Sequence, residues 1–118
     1  MASSSSKWIR VGATVLSILL AVAFVAAGGS KLAGAEMHVQ SFARWGYPIW
    51  FMYVTGLVEV VAAILLVVPA TRFYGAALLI CTMFGAVATH VNAGETAQMG
   101  APLLLLVLAA LVAWARRP

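Results

Sequence analysis

The chain has 118 residues, 64% of them hydrophobic and 8% charged, with a mean hydropathy of +1.06. That is too apolar for a soluble globular surface, and the length allows about four spans of ~20 residues with one connector, so composition predicts an integral membrane protein without a separate soluble domain. The net charge of +4 comes from basic residues that flank apolar runs, a topology signal and not a nucleic-acid surface, and the single Cys81 excludes an internal disulfide or CxxC pair.

Residues 1–6, with the Ser3–Ser6 run, are polar and of low complexity and read as a disordered cytoplasmic tail. Residues 7–118 form one transmembrane domain, with helices expected at about 9–29, 48–68, 73–91 and 97–115. Lys7 and Arg10 precede the apolar run Val11 to Ala27, which has the general form of a signal peptide. The run also carries its own packing seam, Arg10, Thr14, Ser17, Ala21, Phe24, Gly28 and Lys31, and more spans follow it; both features argue for a retained helix.

From Ser30 to Tyr47 the chain turns polar and aromatic. His38, Phe42 and Trp45 fall at helical spacing with Val39 beside them, which predicts a short interfacial helix from about Ala35 to Arg44. Gly46 would end it, and Pro48 would open the second span at the first helical position. Trp45, Tyr47, Trp50, Phe51 and Tyr53 suit a membrane interface, where anchoring is their ordinary role.

The second span, Ile49 to Val68, carries Glu59 near its middle. An ionisable group at the bilayer centre costs at least ~2.5–3.5 kcal/mol, so Glu59 is expected to face the protein interior with a partner or a function. Its helical face is Met52, Thr55, Gly56, Glu59, Ala62, Ala63 and Leu66, small enough to admit another helix closely. Pro69 to Arg72 makes a tight turn. The third span follows from about Phe73 to His90 or Val91, with Gly75, Leu79, Thr82, Ala86 and Thr89 or His90 as its interior face. Asn92 to Thr96 is the next turn, with Thr96 an N-cap candidate. The fourth span, about Ala97 to Ala115, has no charge before Arg116 and reads as scaffold that faces lipid or a second copy.

Lys7, Arg10, Arg72, Arg116 and Arg117 lie on one side of these spans, and Lys31 and Arg44 with Glu36 and Glu95 on the other. The positive-inside rule then puts both termini in the cytoplasm of a cell (inner) membrane. Lys31, at the outer end of the first span, can turn inward to Glu59 or snorkel outward, and the sequence leaves both open. Glu59, Lys31 and His90 are the candidate ligand-binding or proton-linked pocket, Trp45, Tyr47 and Trp50 its mouth, and Gly28, Gly56 and Ala86 helix-packing positions. Thr55 or Thr82 could instead satisfy Glu59 in a purely structural role that fixes helix register. No second His or Cys stands at metal-ligand spacing from His90 or His38, so no metal site is expected.

The motifs Phe24-x3-Gly28-x2-Lys31, Phe42-x2-Trp45-Gly46-x-Pro48, Gly56-x2-Glu59, Pro69-x2-Arg72 and Met83-x2-Ala86-x3-His90 occur in an order and spacing that resembles the DoxX family of small membrane proteins. The resemblance implies an all-α, integral membrane four-helix bundle. It further implies association with redox systems, since the family's namesake is linked to a quinone-reducing thiosulfate oxidoreductase, while more distant relatives look like assembly chaperones. With no haem-ligand pair, cysteine pair or nucleotide motif, no intrinsic cofactor is expected, and quinone is the candidate ligand. The leading expectation is a DoxX-like membrane subunit of a quinone-linked oxidoreductase system, catalytic residues unknown. The alternatives are a membrane scaffold or assembly factor that docks a partner protein and, more weakly, a small-solute or proton transporter, against which the lack of paired acidic residues and broken helices counts.

Overall fold

The computed structural model describes residues 4–118 and is all-α, in the order α1 (Ser4–Leu32), α2 (Glu36–Arg44), α3 (Ile49–Val67), α4 (Arg72–Asn92) and α5 (Gly100–Ala115), with 3-10 turns at Pro69–Thr71 and Thr96–Gln98. Four helical spans, Ser6–Leu32, Ile49–Val67, Pro69–Asn92 and Thr96–Ala115, are long and apolar enough to cross a membrane, and α2 is the expected short connector helix. Of the expected tail, residues 1–3 lie outside the described residues, and α1 already begins at Ser4. The other spans start or stop within a few residues of expectation. Pro48 is the residue before α3 and not its first, and the fourth span opens with a 3-10 turn whose cap is Glu95, with no side-chain cap from Thr96.

α1 packs chiefly on α3, α3 on α4 and α4 on α5, and α5 returns to α1, which closes a four-helix bundle. The apolar core is a column of Leu20, Ala21 and Phe24 from α1, Ala62, Ala63 and Leu66 from α3, Ala76, Leu79 and Met83 from α4, and Ala109 and Val112 from α5. Large apolar side chains such as Leu19, Val22, Leu57, Ile64, Leu104 and Val107 point outward. This distribution suits a lipid-facing surface, where apolar groups need no burial in protein.

Small residues set how closely the helices approach. A Cβ on Gly28 would lie 2.6 Å from the Gly56 carbonyl oxygen, and one on Gly56 would lie 2.8 Å from the Gly28 carbonyl oxygen, so α1 and α3 cross backbone to backbone. Gly75 repeats this for α4, its Cβ position 2.8 Å from the Ala62 carbonyl oxygen. The third small position, Ala86, is only partly buried at the edge of the core.

Adding a methyl at the first crossing forces two backbones apart, an overpacking cost of about 1–3 kcal/mol. Gly28→Ala is therefore expected to lower the thermal unfolding midpoint in detergent. Gly12→Ala, where nothing lies within 4 Å of the added Cβ, should leave the midpoint unchanged or raise it, since Ala gains about 1 kcal/mol of helix propensity over Gly. Equal midpoints for the two variants would show that the crossing is not tight.

Candidate functional site

The α1–α3 crossing decides where the buried charges meet. Lys31 follows Gly28 by three residues and Glu59 follows Gly56 by three, so each charged side chain sits one turn beyond a glycine of the contact. Lys31 Nζ lies 2.8 Å from Glu59 Oε1, with the two side chains only 12% and 5% exposed. The lysine turns inward. Its approach is oblique: Glu59 Oε1 is buried and receives no well-directed hydrogen bond from any described residue. The contact is thus an ion pair in which the ammonium keeps N–H groups to spare and the carboxylate keeps acceptor capacity. Breaking a buried pair from one side costs about 3–5 kcal/mol because a bare charge is left behind, although an intact pair need not add net stability.

The threonines do not serve this carboxylate. Thr55 and Thr82 each return their hydroxyl to their own helix, Thr55 to the Phe51 carbonyl at 2.8 Å and Thr82 to the Leu78 carbonyl at 2.8 Å. His90 does not join the pair either. Its Nδ1 lies 2.9 Å from Glu95 Oε1, and its ring stands edge-on to Trp45 with centroids 5.5 Å apart.

Glu95 is the centre of a second cluster, which ties the connector to the turn before α5. Trp45 Nε1 donates to Glu95 Oε1 at 2.9 Å, and Arg44 donates to Oε2 through Nε at 3.0 Å, with its Nη2 at 2.8 Å. A carboxylate only accepts, so the His90 contact requires the proton on Nδ1. Gly94, at φ +71, makes the arrangement possible: it ends α4 in the left-handed region, and Glu95 N–H returns to the His90 carbonyl at 2.8 Å. The hydrogen bonds from Trp45 and then His90 hold the Glu95 carboxyl below its ordinary pKa.

The aromatic residues divide. Tyr47 is held by a 2.7 Å hydrogen bond to Thr89 Oγ1 and by edge contacts to Phe42 and Phe51, and Trp45 is held by Glu95. Trp50 stands 62% exposed, with Phe51 as its ring neighbour at 6.0 Å. It does not close over the ion pair. His38 reaches back to Ser30, Nε2 to Oγ 2.8 Å, and burial, with the Lys31 charge second, lowers its pKa and favours the neutral imidazole. Among the described residues, no three of His, Cys, Asp and Glu form a group that could hold a metal ion.

From the sequence, Arg72 reads as a topology charge and as the end of the Pro69-x2-Arg72 turn motif, with no side-chain partner assigned. In the fold it is 4% exposed and donates to the carbonyls of Leu66 at 2.7 Å and Val67 at 3.3 Å, and to Thr14 Oγ1 at 3.2 Å. It caps the free carbonyls at the end of α3, a need that every helix C-terminus advertises.

A family model described as the DoxX-like family matches residues 15–112. The chain belongs to the DoxX-like family. With its four apolar spans it is a multi-pass membrane protein. Among curated proteins it is 29% identical over 80 residues to "Uncharacterized protein YdgD" of Bacillus subtilis (strain 168), across 64% of this chain and 70% of YdgD. It is 31% identical over 85 residues to "Putative oxidoreductase CatD" of the same organism, across 71% of this chain and 63% of CatD. The match thus spans less than two thirds of CatD, and no solved structure matches the DoxX-like chain.

Because the Glu95 carboxyl has a lower pKa folded than unfolded, its cluster contributes stability above the ordinary carboxylate pKa and loses it as pH falls through the lowered value. With Trp8, Trp50 and Trp114 replaced by Phe, Trp45 fluorescence should show a transition below the ordinary carboxylate range that disappears when Glu95→Gln is added. The same low-pH transition with and without Glu95→Gln would mean that the Glu95 carboxyl does not hold Trp45.

Proposed function

We propose that this DoxX-like protein is a membrane subunit of a quinone-linked oxidoreductase system, seated in a cell membrane with both termini cytoplasmic. The observation that carries the reading is the Lys31–Glu59 ion pair, placed about 15 Å along α3 from its first residue at 1.5 Å per residue. An intramembrane ion pair is expensive to keep, and such groups mark ligand or proton pathways. Its donor set suits a quinone headgroup: the Lys31 ammonium has N–H groups not aimed at Glu59, which a carbonyl oxygen can accept, and Glu59 has acceptor capacity left for a hydroxyl. The oxidoreductase name carried by CatD supports the redox setting. Lys31 and Glu59 bind and orient the headgroup, and Glu59 takes or gives the proton that accompanies a change in its charge. The orientation rests on the grouping of Lys7, Arg10, Arg72, Arg116 and Arg117 at one end.

A second reading, a scaffold that docks a protein partner or another copy of the chain, is favoured by the exposed Met37 and Trp50 beside the fixed connector. Under it, Lys31 and Glu59 only set helix register.

One set of variants separates the readings. Binding of a short-chain quinone to the purified protein, followed by native mass spectrometry, should be 1:1 in the wild type. Glu59→Gln should weaken it at least ~10-fold, the loss of about 1.4 kcal/mol expected for one hydrogen bond to a charged group. The joint replacement Lys31→Met with Glu59→Gln should abolish binding while the fold survives, because no lone charge is left behind. Quinone affinity unchanged in Glu59→Gln, or no binding by the wild type, overturns the redox reading.

A further inference from the structure

We infer that the end of the bundle opposite Lys31 and Glu59 is a binding site for one anionic glycerophospholipid, with its phosphate at Arg10 and Arg116, beside the buried Arg72, and one acyl chain in the groove between α1 and α5.

Two independent features meet there. The first is uncompensated positive charge. Glu36, Glu59 and Glu95 are the chain's only acidic side chains. Glu36 is on α2, Glu59 faces Lys31, and Glu95 is enclosed by Arg44, Trp45 and His90. None is available to the arginines at the other end.

Arg72 and Arg116 are fixed in place by backbone and hydroxyl contacts. Arg72 is pinned to Leu66, Val67 and Thr14, and Thr14 donates in turn to the Arg10 carbonyl at 3.0 Å, which places the start of α1 beside it. Arg116 Nη2 donates to the Pro69 carbonyl at 3.1 Å, in the turn that leads into Arg72. Guanidinium groups held next to one another without a carboxylate repel, and a phosphodiester is the group that relieves this, since planar N–H donors match its oxygens.

The second feature is an apolar groove of about 140 Å³, lined by Ile9, Ala13 and Leu16 of α1 and by Leu111, Val112 and Trp114 of α5. Its lining includes Ile9, the residue before Arg10, and Ala115, the residue before Arg116. An apolar slot whose lining residues adjoin Arg10 and Arg116 in the chain is complementary to a molecule with an acyl chain and an anionic head. A free phosphate would use the arginines and leave the groove empty. A neutral lipid would use the groove and leave the charge unanswered. Only the anionic lipid uses both.

The test is native mass spectrometry of the full chain in detergent with added dioleoyl phosphatidylglycerol, against dioleoyl phosphatidylcholine and inorganic phosphate as comparison probes. The expected result is one phosphatidylglycerol retained per chain, in clear preference to phosphatidylcholine, and not displaced by millimolar phosphate. Each exposed cation near an anionic membrane surface contributes about 1 kcal/mol, so Arg116→Gln should weaken retention about fivefold, and Arg10→Gln with Arg116→Gln about 30-fold. Ala13→Phe should exclude the acyl chain and weaken retention of either lipid. Arg72 is left unaltered because it caps α3, and a matching thermal midpoint checks that the variants fold. Equal retention of the two lipids, full displacement by phosphate, or phosphatidylglycerol binding unaffected by the double arginine variant overturns the inference.

Discussion

The structure depends on the place where α1 and α3 cross with no side chain between them. Gly28 and Gly56 each press against the other's carbonyl oxygen, and this closeness lets the Lys31 ammonium reach 2.8 Å from Glu59 instead of snorkelling to the interface. Wider separation would leave a carboxylate in an apolar bundle without a counter-charge, at a cost of about 3–5 kcal/mol. Packing and electrostatics are therefore one constraint here. The smallest side chains sit at the crossing because the most expensive ones sit one turn beyond it.

Charge is divided sharply between the two ends of the bundle. The end with Lys31 has all three acidic side chains, and each has a local use: Glu36 with Gln40 on α2, Glu59 with Lys31, and Glu95 binding Arg44, Trp45 and His90 into one knot. The other end holds arginines anchored to backbone carbonyls and none of the carboxylates. The two ends therefore differ in chemistry: a buried ion pair and a carboxylate knot towards one, and arginines bound to backbone carbonyls at the other.

Much of this was legible from residue order. The interior face read from the second span, Met52, Gly56, Glu59, Ala62, Ala63 and Leu66, is the face α3 buries, with Thr55 alone only partly covered, because a 3.6-residue period constrains every position on a helix. The connector helix and its end at Gly46 were legible for a similar reason, since local capping signals sit beside the residues they stop. Lys31 left two directions open, and only the backbone approach at Gly28 settles which it takes. Glu95 was read as turn punctuation. Its partners Arg44 and Trp45 lie about fifty residues away, and no periodicity links them. Arg72 had two meanings in one residue, a topology charge and a helix cap, and the sequence displays the first more readily.

In the proposed function, Glu59 is a charged carboxylate that responds to a bound headgroup. Infrared difference spectroscopy of the reconstituted protein, with and without a short-chain quinone, examines that group itself. Carboxylate bands that are absent from Glu59→Gln should shift on quinone addition in the wild type, as the Lys31 contact is shared with the ligand. Difference spectra that are the same in wild type and Glu59→Gln would contradict the account and reduce the ion pair to a fastening between two helices.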